Sequence, residues 1–389
     1  MRPAVAPASI LPRPVALRAD ARSLGRTVLG IALGLTAFGL VIIYSWTAVK
    51  FVRPGSRADA VLLKQVMWAV VAGRAALVVS RIPLRLLRRH APTALFAVLV
   101  LLALTLVPGP GVLRNRSRRW LELGPLTLQA SEALKIAVIL YLADRLARRE
   151  EEPDHKTPWP ALLAPVGIGV ALILAEPDLG TSLFISSLAV VLLALAGIRF
   201  GKLLPIALVS IPAIVAIAAA KFHHVGERLA FFTQGLKQGD QQWQGLLALG
   251  SGGAMGTGLG AGTQKLGRVA EMQNDFVFTL IGEELGFVGC AAVILAFMAL
   301  VVTGRRIAER AHTSVGLFPF YVAAGSTFAV AFQALINIAV ATGSAPNKGV
   351  SLPFISVGGS SLLMAFVCVG LLVNVSRVVA AEEAGDPWR

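Results

Sequence analysis

Asp275 has the side-chain type and position best suited to chemistry in this sequence. It stands where a polar segment meets a long apolar run that begins at Phe276. A carboxylate at such a boundary is partly desolvated, which makes it a better base. Two interpretations are open: Asp275 is a general base, or it is a helix N-cap that accepts hydrogen bonds from the first turn.

The helix that follows Asp275 carries two glycines and two further carboxylates. On an ideal helix Gly282 and Gly286 lie beneath Asp275 on one face, a pattern that lets another helix pack closely. Glu283 and Glu284 would lie about 12 Å deeper along the axis. Carboxylates within a membrane span either relay protons or bond neighbouring helices. We favour the structural role, because no run of His or Lys accompanies them.

A cluster of arginines precedes Trp120. An arginine fork matches the oxygen atoms of a phosphate, so the cluster predicts an anionic ligand, with Arg118, Arg119 and Trp120 as binding residues. Contact with lipid headgroups is the alternative. The cluster consists of Arg114, Arg116, Arg118 and Arg119.

A second candidate binding segment runs from residue 345 to residue 361. Lys348 could meet an anion, and the hydroxyl groups of Ser356, Ser360 and Ser361 follow at a predicted helix start, where backbone N–H groups also attract anions. A capped helix entry with a solvated lysine explains the same residues.

Several polar groups fall inside or beside apolar runs. Glu132 and Lys135 are three residues apart and can pair on one helix face. Gln333 and Asn337 are four apart and indicate hydrogen bonding between helices. Arg74 either extends toward the membrane surface or finds a carboxylate.

The segment 176–181 joins two apolar runs through a turn. Pro177 and Gly180 favour the turn, and Asp178 could cap the next helix. Glu176 and Asp178 alone supply too few ligands for a metal.

The composition places most of the chain in a membrane. Hydrophobic residues make up 56%, charged residues 15%, and the mean hydropathy is +0.74. The net charge of +15 is spread between apolar runs, as at membrane boundaries, and nucleic acid is not expected as a partner. Cys290 and Cys368 lie inside apolar runs and are expected to be packing residues.

The apolar runs predict an all-α polytopic membrane protein with about ten transmembrane helices. The even number puts both termini on one side, and the excess of Lys and Arg on that side makes it cytoplasmic. The predicted spans are 27–49, 61–82, 92–108, 127–147, 160–176, 181–198, 203–220, 276–303, 316–342 and 355–378.

This count divides the chain into a cytoplasmic tail (1–26), a transmembrane domain (27–378) and a second cytoplasmic tail (379–389). One long extracytoplasmic loop, about 221–275, separates helices 7 and 8. Its glycine run between Gly250 and Gly262 is either a flexible hinge or a re-entrant turn that brings the backbone close to a ligand. No Gly-Lys-Ser/Thr follows, which excludes a nucleotide P-loop.

Four segments, in order, resemble the shape, elongation, division and sporulation (SEDS) family of bacterial membrane proteins. Together they cover most of the chain, from about Arg26 to Arg377. The matching segments are 118–132, 176–181, 250–286 and 348–361.

The resemblance implies a polymerase that joins lipid II into peptidoglycan glycan strands in the inner membrane, with its active face extracytoplasmic. The family's essential aspartate falls on Asp275. Implied partners are a class B penicillin-binding protein, other division membrane proteins and membrane lipids. Residues 347–353 are more similar to the division and sporulation branch than to the elongation branch.

In this scheme Asp275 is the base for a sugar hydroxyl, and Arg118, Arg119 and Lys348 hold the leaving diphosphate. A one-step displacement inverts the anomeric carbon. No cofactor is required, although a divalent cation, Mg or Mn, bound in part by Asp275 is left open. Glu132, Lys135, Gly282, Glu283 and Gly286 are expected to support the site.

Two other functions are compatible with the sequence. A lipid II flippase would use Glu283, Glu284 or Arg74 along its path. A non-catalytic scaffold of the division machinery would not need Asp275.

Overall fold

The protein is a bundle of membrane helices with a small antiparallel sheet on one end, as seen in a computed structural model. The structure describes residues 20–50, 58–107, 111–114, 117–123, 126–152, 157–198, 201, 241–262, 274–347 and 349–385. The predicted seventh span (203–220), most of the long loop and Lys348 lie outside these residues.

Ten helices and three strands have described bounds. In chain order they are α1 (Ala21–Lys50), α2 (Ala58–Val79), α3 (Leu84–Leu106), β1 (Gly111–Arg114), β2 (Ser117–Leu123), β3 (Leu126–Gln129), α4 (Ala130–Glu151), α5 (Trp159–Ala175), α6 (Leu179–Leu195), α7 (Gln241–Gly252), α8 (Val277–Ser314), α9 (Leu317–Ala341) and α10 (Gly359–Glu383).

Six of these helices are long and apolar enough to cross a membrane: α1, α2, α3, α8, α9 and α10. The helices α5 and α6 are apolar but shorter. This confirms the predicted helical membrane class. Helix α1 begins at Ala21 and α10 ends at Glu383, so both extend beyond the predicted spans into the predicted tails.

Two helices form the centre of the bundle. Helix α10 packs against α1, α2, α8 and α9, and α4 packs against α3, α6 and α9. Helix α4 is buried over most of its surface although it carries charged residues, because those charges pair inside the protein. Asp144 is fully buried and accepts from Arg88 at 3.1 Å and from Arg148 at 2.7 Å.

The sheet is the element that the sequence analysis did not predict. Its strands are antiparallel in the order β1-β2-β3, and Trp120 in β2 is paired with both Val112 and Gln129. The predicted fourth span was wrong at its start, because residues 127–129 belong to β3 and the helix begins at Ala130. A short apolar run that leads into a helix gives no periodicity by which to separate strand from helix.

Helix α8 is broken at Gly286, whose backbone has φ 66° and ψ −160°. The prediction of an ideal helix through Gly286 was therefore wrong, but the predicted close packing is present at both glycines: a Cβ on Gly286 would overlap the Gly256 amide nitrogen. A Cβ on Gly252 of α7 would overlap the carbonyl oxygen of Gly282. The two helices can approach so closely only because both positions are glycine.

The glycine run after α7 pairs with the break in α8. The Thr257 and Gly258 amides donate to the carbonyls of Glu283 (2.9 Å) and Glu284 (3.0 Å), and Phe287 donates to Gly253 (2.9 Å). The run therefore forms a turn that satisfies backbone groups freed by the break. The glycine run does bring its backbone close to another group, as predicted. That group is the backbone of α8 and not a ligand.

Glycines on α1 provide a matched test of helix packing. A Cβ on Gly39 would lie 2.7 Å from the Cα of Ile355, whereas nothing lies within 4 Å of a Cβ on Gly34. We expect Gly39→Ala to lower the free energy of unfolding by about 1–3 kcal/mol through overpacking. Gly34→Ala should leave it unchanged or raise it by up to about 1 kcal/mol, because Ala favours helix more than Gly. Thermal unfolding of the purified variants measures both, and equal effects would contradict this packing.

Candidate active site

Asp275 lies in a turn directly before α8 and is half-buried. Phe276, not Asp275, occupies the N-cap position of the helix, so the simple N-cap interpretation is wrong. Phe276 is fully buried and fixes the start of the helix. The backbone carbonyl of Asp275 accepts a hydrogen bond from Asn337 Nδ2 at 2.9 Å.

Asn337 joins the Asp275 turn to the segment after α9. Its Nδ2 also donates to the carbonyl of Val350 at 2.7 Å. Gly349, one residue earlier, faces the Asp275 carboxylate, because a Cβ on Gly349 would lie 2.9 Å from Asp275 Oδ2. One buried amide on α9 therefore positions two segments that are distant in sequence, and the absence of a side chain at Gly349 leaves room beside the carboxylate.

Gln333 lies one turn earlier on α9 and holds the next part of the same segment. Its Nε2 donates to the carbonyl of Ser351 (3.0 Å) and to Ser361 Oγ (2.7 Å). Its Oε1 accepts from Lys135 Nζ at 2.8 Å, and Lys135 pairs with Glu132 at 2.7 Å. The predicted Glu132–Lys135 pair and the predicted interhelical bonding of Gln333 are present, whereas Asn337 bonds carbonyls of a turn and a loop.

The three predicted substrate-binding serines are largely used within the protein. Ser356 Oγ accepts from the Leu352 amide at 2.8 Å and is buried. Ser360 Oγ, also buried, accepts from the Gln129 amide and donates to the Thr127 carbonyl, each at 3.0 Å. These two hydroxyls hold the 349–361 segment and β3 in place. These bonds give no support to their predicted contact with substrate. Ser361 is half-buried.

Arg119 holds the turn between α5 and α6. Its Nε donates to the Glu176 carbonyl at 2.9 Å, a second nitrogen donates to the Pro177 carbonyl, and a third lies 3.6 Å from Asp178 Oδ2. Asp178 caps α6 by accepting from the Thr181 amide at 3.1 Å, as predicted. Arg119 therefore has a structural role in addition to any contact with a ligand.

The remaining members of the arginine cluster are described only in part. Arg118 and Arg114 lie in β2 and β1, without a described side-chain position. Trp120 is half-buried in β2 beside Gln129. Lys348 precedes Gly349, but its own position is not among the described residues.

A chain of contacts links the Asp275 turn to the arginine turn. Gly349 contacts Asp275 at one end of the 349–361 segment, and Ser360 bonds Gln129 at the other. Gln129 Nε2 lies 3.5 Å from Asp178 Oδ2, the carboxylate beside Arg119. Both turns therefore lie on the same end of the bundle. The sequence did not reveal that Gln129 links the two turns or that Asn337 holds the Asp275 turn against Val350, because neither residue has a distinctive sequence context.

Glu283 and Glu284 are buried below Asp275. Both oxygens of Glu284 lie within hydrogen-bond distance of Ser45 Oγ on α1, at 2.7 and 2.6 Å, and a Cβ on Gly262 would lie 2.9 Å from Glu283 Oε2. Arg74 is exposed on α2. The two glutamates thus support packing around the α8 break, which agrees with the favoured structural interpretation.

An apolar cavity of about 330 Å³ lies beside α8, below Asp275. It lies between α7, α8 and α9, with Phe278 near its upper end and Ile294 near its lower end. Phe287, also in its wall, is largely exposed on the bundle surface. Such a cavity can accept a hydrocarbon chain from the surrounding lipid.

Within the described part of the chain, no group of three or more His, Cys, Asp or Glu side chains could hold a metal ion. Asp275 by itself would supply one carboxylate, fewer ligands than Mg²⁺ or Mn²⁺ requires. The described residues therefore do not form a metal site by themselves.

Burial raises the pKa of Glu176, in the turn after α5, from 4.5 to about 7. A bond with Thr105 and the charge of Arg119 act against this rise, while Asp178 adds to it. The Thr105 hydroxyl contacts both the Leu102 carbonyl, at 2.7 Å, and the Glu176 carboxyl. Because one hydroxyl has one proton, a protonated Glu176 can donate to Thr105 while Thr105 donates to Leu102.

These features define a polytopic helical membrane protein with the Asp275 carboxylate just before a broken helix and an arginine-bearing sheet on the same end of the bundle. The chain belongs to the cell cycle protein family of FtsW, RodA and SpoVE, whose pattern it matches over residues 26–380.

Relatives of known name agree with this assignment. The chain is 35% identical over 353 residues to a protein of Trichlorobacter lovleyi named a probable peptidoglycan glycosyltransferase FtsW, covering 89% of this chain and 91% of that one. A protein of the same name from Halorhodospira halophila is 37% identical over 327 residues, covering 82% of each chain.

Solved structures show the same fold. A chain of a peptidoglycan synthase complex, studied for the coordination of polymerization and crosslinking, matches with a TM-score of 0.73 and 25% identity over 90% of this chain and 97% of that one. The rod shape determining protein RodA of Thermus thermophilus matches with a TM-score of 0.66 and 26% identity, over 90% and 96%.

The raised pKa of Glu176 predicts a specific pH dependence of stability. Since the folded state holds this proton more tightly than the unfolded chain, the stabilisation is complete below about pH 4.5 and is lost as the pH rises to about 7. The loss is on the order of 3 kcal/mol. We expect Glu176→Gln, which keeps a neutral group, to remove this part of the pH dependence of the melting temperature.

Glu309→Gln, at an exposed position of α8, is the matched control and should keep the wild-type pH profile. Identical profiles for wild type and Glu176→Gln would show that Glu176 does not titrate in this range.

Proposed function

We propose that the protein is a peptidoglycan glycosyltransferase that polymerises lipid II into glycan strands during cell division. The observation that carries this proposal is the placement of Asp275, a half-buried carboxylate at the mouth of α8 with the backbone of Gly349 against it. The family membership and the names of the relatives support the same activity.

Asp275 acts as the general base in this proposal. It accepts the proton of an acceptor sugar hydroxyl while that oxygen attacks the anomeric carbon of a donor, and the bond from that carbon to the undecaprenyl diphosphate breaks. A diphosphate is a good leaving group without protonation, so one carboxylate is sufficient where glycosidases use two. Because the attack and departure occur on opposite faces, the anomeric carbon is inverted.

The diphosphate needs positive charge as it departs. Arg118, Arg119 and Lys348 are the proposed donors, with Trp120 and Ser361 beside them. Arg119 keeps part of its side chain exposed while it holds the α5–α6 turn. Its guanidinium has five N–H donors, so contacts with that turn leave others for a phosphate oxygen.

The hydrocarbon part of lipid II needs an apolar path from the site to the lipid. The cavity beside α8 offers one, because it lies below Asp275 and Phe287 opens it toward the bundle surface. We assign it to the isoprenoid tail. Its volume of about 330 Å³ suits a few isoprene units, with the remainder of the tail in the bilayer.

In this proposal the protein resides in the bacterial inner membrane with the Asp275 end facing outward, as the distribution of Lys and Arg suggests. A class B penicillin-binding protein is the proposed partner, along with other division membrane proteins. A structural relative belongs to a complex for polymerization and crosslinking, which supports such a partner. The identity of about 35% to proteins named FtsW favours division over a RodA-like role in elongation.

Two alternatives make different demands on the molecule. A flippase would need a path along Glu283, Glu284 or Arg74, yet Glu284 is bonded to Ser45 and Arg74 is exposed on another helix. A scaffold would not depend on the Asp275 carboxylate. Incubation of the purified protein with lipid II, with and without its partner, distinguishes polymerase, flippase and scaffold by the product formed.

Asp275→Asn should reduce glycan polymerisation by at least about a hundredfold, the usual contribution of a general base, while leaving the melting temperature nearly unchanged. The substitution is almost isosteric and keeps the backbone carbonyl that bonds Asn337. Glu309→Gln makes the same carboxylate-to-amide change away from the site and should retain activity. Polymerisation by Asp275→Asn at the wild-type rate would rule out the catalytic assignment.

The two arginines of β2 test the proposed contact with the diphosphate of lipid II. We expect Arg118→Ala to weaken lipid II binding through loss of charge-assisted bonds to phosphate. Arg119→Ala should weaken binding and also lower the melting temperature, because Arg119 bonds the Glu176 and Pro177 carbonyls. Binding to lipid II and thermal unfolding are measured on the same preparations. If both variants kept the wild-type affinity for lipid II, the arginine cluster would be assigned to contact with lipid headgroups instead.

A further inference from the structure

A cavity of about 700 Å³ lies at the end of the bundle away from Asp275. It is bordered by the start of α1, the corner between α2 and α3 and the last turns of α10, and it is open to the outside on one side. Four arginines line it, Arg22, Arg26, Arg81 and Arg377, together with one acid, Asp20. The proposed glycosyltransferase chemistry uses none of these residues.

The arginines of this cavity are available to an anion. All four are exposed, and within the part of the chain that the structure describes no ion pair joins any of them to an acid. The Asp20 carboxylate accepts from the backbone amide of Arg22 at 3.1 Å. Four positive charges against one negative charge make the cavity strongly basic.

The walls of the cavity are held by specific hydrogen bonds. Asn374 Nδ2 donates to the carbonyls of Val79 and Ile82, each at 2.7 Å, and Arg377 donates to the Ser80 carbonyl at 2.8 Å. These three bonds fix the α2–α3 corner against α10. The arginines thus surround a preformed space, in contrast to a scatter of basic residues on a flexible tail.

The cavity lies at the membrane surface opposite the Asp275 site. Ser45, near the end of α1, bonds Glu284 below Asp275, whereas Gly25, near the start of α1, lines the cavity. Gly25 and Ser45 are twenty positions apart on one helix, which is about 30 Å at 1.5 Å per residue. That distance is about the thickness of the hydrocarbon core. In the proposed orientation the cavity therefore faces the cytoplasmic leaflet.

We propose that this cavity binds the headgroup of an anionic phospholipid. The arginines contact the phosphate, for which a guanidinium fork is well suited, and Leu29, Val373 and Val378 in the wall contact the glycerol and the first acyl carbons. Basic cavities between helices on the cytoplasmic side are typical sites for such headgroups.

Orientation by positive charge alone does not explain this arrangement. The positive-inside bias requires basic residues near helix ends, but it requires neither a cavity nor a fixed wall. Arg89 and Arg306 are also exposed arginines on membrane helices, and neither lines the cavity. Arg89 and Arg306 therefore serve as a control pair that carries the same charge outside the cavity.

The test compares Arg26→Gln with Arg81→Gln against the control pair Arg89→Gln with Arg306→Gln, each in the full-length protein. Both pairs remove two positive charges, and the side chains of Arg26 and Arg81 make no described hydrogen bond, so the fold should persist. Binding of phosphatidylglycerol, phosphatidylcholine and inorganic phosphate is measured by native mass spectrometry and by the rise in melting temperature.

We expect phosphatidylglycerol to bind about thirtyfold more weakly to the cavity pair than to wild type and the control pair, as two interfacial arginines would predict. Phosphatidylcholine should bind weakly to all three. Ala381→Glu, which adds a carboxylate to the cavity wall and removes no arginine, should weaken phosphatidylglycerol binding in the same way.

Two results would overturn the proposal. Equal phosphatidylglycerol affinity in the cavity pair and the control pair would mean that only overall charge matters. Displacement of phosphatidylglycerol by inorganic phosphate at similar concentration would identify a site for free phosphate instead of a lipid.

Discussion

The hydrogen bonds from Asn337 and Gln333 to the segment after α9 are the interaction on which the proposed site depends. Backbone polar groups at membrane depth must find partners inside the protein, because lipid offers none. These two amides, one turn apart on α9, satisfy the carbonyls of Asp275, Val350 and Ser351. The position of the Asp275 carboxylate follows from this requirement, since the residues that satisfy the backbone also fix the turn that carries it.

The same requirement explains the glycines around α8. The break at Gly286 frees backbone groups in the middle of the bundle, and the turn after α7 supplies their partners. Gly252 and Gly256 allow the two backbones to approach within hydrogen-bond distance, where any side chain would clash. Ser45 then bonds Glu284 and connects the break to α1. The helix beneath Asp275 is thus held from two sides, which favours a fixed geometry for the proposed chemistry.

Charge is distributed differently at the two ends of the bundle. At the Asp275 end, Arg119 is drawn into the α5–α6 turn, and the buried Glu132–Lys135 pair supports Gln333. At the other end, the arginines around the α2–α3 corner surround a cavity and remain exposed. The first arrangement uses part of its charge to hold the chain around the proposed site. The second leaves its charges available, which suits recognition of an anionic surface.

The sequence by itself determined the membrane class, the approximate position of most spans and the candidate role of Asp275, because long apolar runs and a boundary carboxylate are local signals. It also predicted the Glu132–Lys135 pair and the cap at Asp178, which are contacts within one turn of chain.

Only the tertiary structure decided the sheet at 111–129, the break at Gly286 and the bonds of Arg119, Asn337 and Gln129. The break at Gly286 and the bonds of these three side chains depend on partners that are distant in sequence. Strands of four to seven residues next to a helix are hard to recognise from periodicity, and a glycine in a helix does not reveal whether a second backbone lies against it.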